Sequence, residues 1–248
     1  NLLHSAITTS VERIHLEMQP YPMLRLWLVD STLFSVALLF QNHRKYPLLK
    51  MPIYEFEGIR PVVDPTAFVH PTAVLIGDVI IGPNCLVGPC AVMRGDIGRL
   101  IMEKGSNLQD TCVVHSFPGD DTIIEQDGHI GHGAVLHGCR IKKNAMVGMN
   151  AVVMDNAVIG ENSFVAAMAF VKAGMEVPDN VLVAGCPAKI IRDLEAKEIE
   201  WKGNGTKIYQ LLAQRHAATG VECEPLPEVE PDRQRVSLTQ HSPKHELE

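Results

Sequence analysis

A six-residue beat governs most of this chain. Aliphatic residues recur at Val69, Leu75, Ile81, Val87 and Met93, resume at Ile123 and, past His129, run through Val135, Ile141, Val147, Val153, Ile159, Val165, Val171 and Val177. Four residues after most beats the side chain is small: Ala73, Cys85, Ala91, Cys139, Ala145, Ala151, Ala157, Ser163 and Ala169. An α-helix has no strict period of six, and a simple alternating strand has no use for the small residue. Hexapeptide periodicity marks a parallel β-helix, one short strand per hexad and three hexads per coil. The fold expected is therefore all-β, a left-handed parallel β-helix. The beat residue fills the prism and the small residue fits its tight inner corner. With aromatics at 5%, the core must come from stacked β-branched side chains rather than large rings.

The beat slips twice. It gains two residues between Met93 and Ile101, holds at 101, 107 and 113, then gains four between Val113 and Ile123, around Phe117, Pro118, Gly119, Asp120 and Asp121. Insertions in a coil become protrusions where binding loops sit. The expected domains are a β-helix catalytic domain over 51–187, C-terminal helices over 188–221 and a disordered tail over 222–248. Gly203, Asn204 and Gly205 are expected to split the helical region into 188–202 and 206–219. Residues 1–50 do not share the repeat. They are expected to be a poorly ordered upstream or non-native extension, with the natural start at Met51. Arg25 and Asp30 interrupt the apolar run from 23 to 40, which weakens both a signal peptide and a membrane span.

A formal charge of -7 excludes a generic nucleic-acid binder, which needs a basic footprint. Six cysteines with no C-x-x-C pair fit reduced thiols in a cytoplasmic protein. Cys85 and Cys139 fall on small inward positions, so packing is their expected role.

The coil frame turns sequence positions into positions in space. One coil is 18 residues, and His115 and His137 are 22 apart: one coil plus the four-residue insertion. They should stack on one edge at roughly the 4.8 Å inter-strand spacing, close enough to share a metal. His132 lies nearly one side of the triangle away and reaches that metal only from a neighbouring subunit. A head-to-tail ring of three chains closes three such sites, so a homotrimer is expected. Asp110 falls one coil beneath His132, with Gln109 beside it. Arg94 and Asp96 fall beneath Val114 and Ser116, near the His115 edge. Three neutral imidazoles and one open position describe a catalytic Zn²⁺, though Fe²⁺ or Co²⁺ suits the same nitrogens. His70, His129, His216, His241 and His245 are expected to be ordinary core or surface residues. His129 replaces an aliphatic beat and is the one expected to point inward.

Arg94-Gly95-Asp96, Asn107-Leu108-Gln109-Asp110, His115 and the run from Gly128 through His132 to His137 and Cys139 resemble the γ-class carbonic anhydrase family. The start Met51-Pro52-Ile53-Tyr54, residues 70–80 and residues 147–155 look like the PaaY group of phenylacetate degradation and the similar CaiE group of the carnitine operon. The resemblance covers residues 51–187, and Trp201-Lys202 extend it. It implies metal ligands at His115, His132 and His137, a Gln109 that orients the metal-bound hydroxide, and interface support from Arg94 and Asp110. Arg94 with Asp96 is expected either as an interface ion pair or as catalytic support. Two positions depart from the archaeal carbonic anhydrases: Ile97 and Pro118 stand where those carry acidic residues, and Asp120 and Asp121 lie only nearby. Rapid CO₂ hydration needs protons carried to solvent, which these departures disfavour. The PaaY resemblance implies instead a metal-dependent thioesterase acting on acyl-CoA intermediates of phenylacetate catabolism. The alternatives are a γ-class carbonic anhydrase acting on CO₂ and bicarbonate, a hexapeptide acyltransferase, or a non-catalytic accessory protein. The expected partner is a small-molecule substrate, not nucleic acid or membrane.

Overall fold

A computed structural model describes residues 52–237 and 243–244. Short parallel strands stack into a β-solenoid of about seven coils, followed by one helix. The expectations for residues 1–50 lie outside the described residues. No helix among those described is long and apolar enough to cross a membrane.

Each coil turns three corners of one design. A residue in the left-handed region sits just before a small buried one: Asn84 before Cys85, Cys90 before Ala91, Asn144 before Ala145, Asn150 before Ala151, Asn156 before Ala157. Asparagine tolerates that conformation better than other side chains with a Cβ. On one corner the amides also stack, Asn144 Nδ2 donating to Asn162 Oδ1 at 2.7 Å and Asn162 Nδ2 to Asn180 Oδ1 at 2.9 Å. The core of Leu75, Ile81, Val87, Met93, Val147, Val153, Ile159, Val165 and Val171 is wholly buried, on the beat.

In the middle coils the beat is displaced by one residue from the expected one. Met102, Leu108, Val114, Ile124, Ile130 and Leu136 fill the core there, while Ile101, Val113, Ile123, His129 and Val135 are only partly buried or exposed. Asn107 is covered as well, but by polar contacts with Gln109 and His129 rather than by the core. The first insertion is three residues long rather than two. The phase returns because the corner after Leu136 is one residue short, turning at Gly138 with φ 54°. Successive strand residues face opposite sides, so a slip of one exchanges inside for outside. His129 therefore points out of the prism, and Ile130 fills it.

The C-terminal region also differs from expectation. Ala188–Asp193 is a strand, antiparallel to Val181–Gly185, and covers the backbone edge that the last coil would otherwise leave unpaired. One helix, Ala196–Thr219, runs unbroken through Gly203 and Gly205. Each glycine costs a helix about 1 kcal/mol, and docking offsets it. Lys202 Nζ donates to Asp127 O at 2.5 Å and Asn144 Oδ1 at 2.8 Å, and Gln210 Nε2 donates to Asp127 Oδ1 at 2.8 Å. At the helix start Glu198 accepts from Arg192 at 2.7 and 2.9 Å and from the Glu195 N–H at 2.9 Å. Residues 222–237 are exposed and lack helix and strand. The tail still makes contacts: Ser237 O accepts from Arg215 at 2.9 Å, and Lys244 Nζ reaches Glu198 at 2.9 Å.

All six cysteines are free, and three are buried: Cys85, Cys112 and Cys139. Cys112 joins the other two as a corner residue. Burial pushes the Cys112 thiol up to about 11 and Cys139 to about 12. Thiolates are the reactive form. Native protein treated with iodoacetamide at pH 8 should therefore label at Cys90, Cys186 and Cys223 only, with the other three reacting after denaturation. Mass spectrometry reads the result, and rapid native labelling of Cys139 would contradict this packing.

Candidate metal centre

The solenoid brings His115 and His137 together because their strands are parallel neighbours in register. Val113–His115 pairs with Val135–His137, and His115 lies directly against His137. Both follow an inward residue, Val114 or Leu136, so both stand on the outer face. His115 Nδ1 and His137 Nε2 are 3.1 Å apart.

A carboxylate holds the other nitrogen of each ring. Asp96 Oδ1 is 3.1 Å from His115 Nε2, and Asp155 Oδ1 is hydrogen-bonded to His137 Nδ1. Asp96 is itself gripped by Arg94 Nη1 at 2.9 and 2.7 Å. Burial works against ionisation of Asp96, but the hydrogen bonds from Arg94 and His115 outweigh it and keep the carboxyl below its usual range. In the register Met93, not Arg94, pairs with Val114. That corrects the expected placement of Arg94 beneath Val114 and of Asp96 beneath Ser116. The extra inserted residue moves Arg94 into line with His115.

His132 stands apart from this pair. It lies one coil from Asp110, as the coil arithmetic requires, and its Nδ1 is 2.5 Å from Asp110 Oδ2. Among the described residues, no three His, Cys, Asp or Glu side chains of one chain converge as a metal site. Gln109 is buried and does not contact the pair in its own chain. Its Nε2 lies 3.0 Å from Asn107 Oδ1 and 2.8 Å from His129 Nε2.

The donor chemistry tests whether these residues suit a cation. A carboxylate on one ring nitrogen fixes the proton there and turns the other nitrogen into a lone pair. His115 and His137 then aim two lone pairs at each other, which is repulsive unless something positive lies between them. Two nitrogens bound to tetrahedral zinc at about 2.0–2.1 Å sit about 3.3 Å apart, close to the observed separation. By the same logic Asp110 leaves His132 Nε2 as a lone pair. The residues fit a cation.

The inserted loop borders the pair. Phe117 is half exposed and meets the His137 ring edge-on, with centroids 5.3 Å apart. Ser116 Oγ donates to Asp120 O, and Thr122 Oγ1 donates to His115 O at 2.7 Å, so the loop is tied to the strand that carries His115. Asp155 escaped the sequence reading. It lies 18 residues after His137, one nominal coil, so carrying the frame forward as well as backward finds it. Tyr209 was also missed. It stands edge-on to His129, centroids 5.0 Å apart, and only the docked helix brings it there.

Known proteins share this arrangement of chain. The family profile "Bacterial transferase hexapeptide (six repeats)" matches residues 60–95 and 138–173. The carnitine operon protein CaiE of Citrobacter koseri is 53% identical over 189 residues, covering 76% of this chain and 96% of that protein. CaiE of Salmonella newport is 54% identical with the same coverage. Among solved structures, a hexapeptide transferase family protein from Anaplasma phagocytophilum is 38% identical, with a TM-score of 0.64 over 66% of this chain and 97% of that one.

Proposed function

The chain belongs to the CaiE family of hexapeptide-repeat proteins, and from that premise we propose that it is a metal-dependent hydrolase of acyl-CoA thioesters. The metal lies between subunits of a homotrimer, on His115 and His137 of one chain and His132 of the next. One observation carries this reading: all three histidines have a carboxylate on one ring nitrogen, and two of them face each other's free nitrogen at 3.1 Å. Zn²⁺ suits this donor set best. When bound, such a cation lowers the pKa of water toward neutrality and polarises a carbonyl.

The chain's own groups do the rest. Asp96, Asp155 and Asp110 keep each imidazole in its ligating tautomer. Arg94 fixes Asp96 in turn. Gln109, presented at the His132 edge, hydrogen-bonds at the reacting centre where partial charge develops. The Phe117 loop screens the pair from bulk water on one side. In the reaction, water oxygen forms the new bond to the thioester carbonyl carbon, the C–S bond breaks, and the products are a carboxylic acid and the CoA thiol.

A second reading is acyl transfer from CoA to an amine or hydroxyl acceptor. The family profile and the Anaplasma phagocytophilum neighbour, both described as transferases, favour it over hydrolysis. Thiol release separates the two. Zinc-loaded full chain with phenylacetyl-CoA should release free CoA at a rate unaffected by amine acceptors. Release only in the presence of an acceptor would establish the transferase instead.

A further inference from the structure

His129 closes a ring of three hydrogen-bonding side chains beside Gln109. Its Nε2 is 2.8 Å from the terminal amide of Gln109, its Nδ1 is 3.3 Å from Asn107 Nδ2, and Asn107 Oδ1 is 3.0 Å from the same amide atom of Gln109. Nitrogen and oxygen of an amide differ only by the hydrogen bonds they make, so the ring can be solved by parity. Gln109 uses one atom for both of its contacts. If that atom is nitrogen, it donates twice. Asn107 must then offer its oxygen to Gln109 and its nitrogen to His129, and both imidazole nitrogens must accept. No neutral imidazole does that. If the atom is oxygen, both assignments reverse, and both ring nitrogens must donate. Only imidazolium does that. A neutral His129 always leaves one of the three contacts like-to-like.

From this ring we infer that His129 is held as an imidazolium and is the positioning residue that locks Gln109 with its amide NH₂ outward. The Gln109 oxygen is committed to His129 and Asn107, so its NH₂ is the end left for the site. An outward NH₂ offers a hydrogen bond to a carbonyl oxygen that gains negative charge, as a thioester oxygen does under attack. This consequence rests on the acyl-thioester reading above; the protonation state does not.

Tyr209 of the helix packs against the ring at a near-perpendicular angle of 87°, centroids 5.0 Å apart. Burial, with Asp110 nearby, raises the Tyr209 phenol above its usual value and keeps it neutral. Charged groups of both signs lie nearby. Asp127, two residues before His129, has its carboxylate held by Gln210, and the ammonium of Lys202, which burial lowers to about 7, donates to the Asp127 backbone oxygen. The sign for activity follows: turnover falls as pH rises through the His129 pKa, because the neutral ring frees Gln109 to flip.

Neutron crystallography of the full chain at neutral pD reads the proposal directly. Deuterons on both Nδ1 and Nε2, with the Gln109 oxygen facing the ring, are expected; a bare ring nitrogen overturns it. In solution, His129→Phe should keep its bound zinc, lose about tenfold in kcat and lose the alkaline fall of thioester turnover. An unchanged alkaline limb in that variant would refute the positioning role. Should both deuterons be present while no thioester is cleaved, the functional reading fails and the charge state of His129 stands.

Discussion

Replacing His137 by alanine should strip the protein of its metal and reduce thioester turnover by at least about 100-fold, since the cation loses one of three nitrogen ligands. Metal content by inductively coupled plasma mass spectrometry is expected to fall from about one ion per chain to near zero, with circular dichroism unchanged. Asp155→Asn keeps the ligand but no longer fixes its tautomer, and should weaken metal affinity by about 10–100-fold. A sharper result comes from mixing chains. His132→Ala and His137→Ala protomers are each expected to be metal-free as homotrimers. In a head-to-tail ring, a mixed trimer contains one interface that joins an intact His132 to an intact His115–His137 pair. Random co-assembly in equal amounts makes three-quarters of the trimers mixed, so roughly one site in four should regain its ion. If mixing restores nothing while each variant still trimerises, the site does not span subunits. Full zinc in His137→Ala alone would remove that residue from the ligand set.

The spacing of the histidines was legible because stacked coils conserve arithmetic. A count of 22 residues put His115 against His137, and the structure pairs them in register. The Asp110–His132 contact follows from the same count. What the count missed is the parity of the strand. Residues around the first insertion read equally well with two or three added positions, because both Ile101 and Met102 are apolar. The short corner at Gly138 then concealed the error by restoring the phase at Ile141. The outward direction of the ligand histidines depends on that parity, as does the exposure of His129 to the helix. The Val181–Gly185 edge explains why Ala188–Asp193 became a strand. Local helix propensity in that segment could not reveal that the last coil needs a partner. Likewise, Gly203 and Gly205 read as a break until Lys202 and Gln210 are seen anchored on the solenoid.

The neighbouring isoleucines at 123 and 124 give the one-residue displacement a direct energetic test. They sit on the same short strand, Thr122–Ile124, and differ only in which side of it they occupy. Ile124 is fully buried in the core, and Ile123 is partly exposed on the outer face. Ile124→Ala should destabilise the chain by about 2–5 kcal/mol, because it removes buried methylenes and leaves a cavity that stacked coils cannot collapse around. Ile123→Ala should cost no more than about 1 kcal/mol. Urea midpoints at equal protein concentration measure the difference, since oligomer stability depends on concentration. Strand propensity is lost equally in both variants, so it cancels from the comparison and leaves burial as the cause. A larger loss at Ile123 than at Ile124 would restore the two-residue insertion. The inward beat would then pass through Val113 and Val135, turning His115 and His137 away from the face on which a neighbouring chain could meet them.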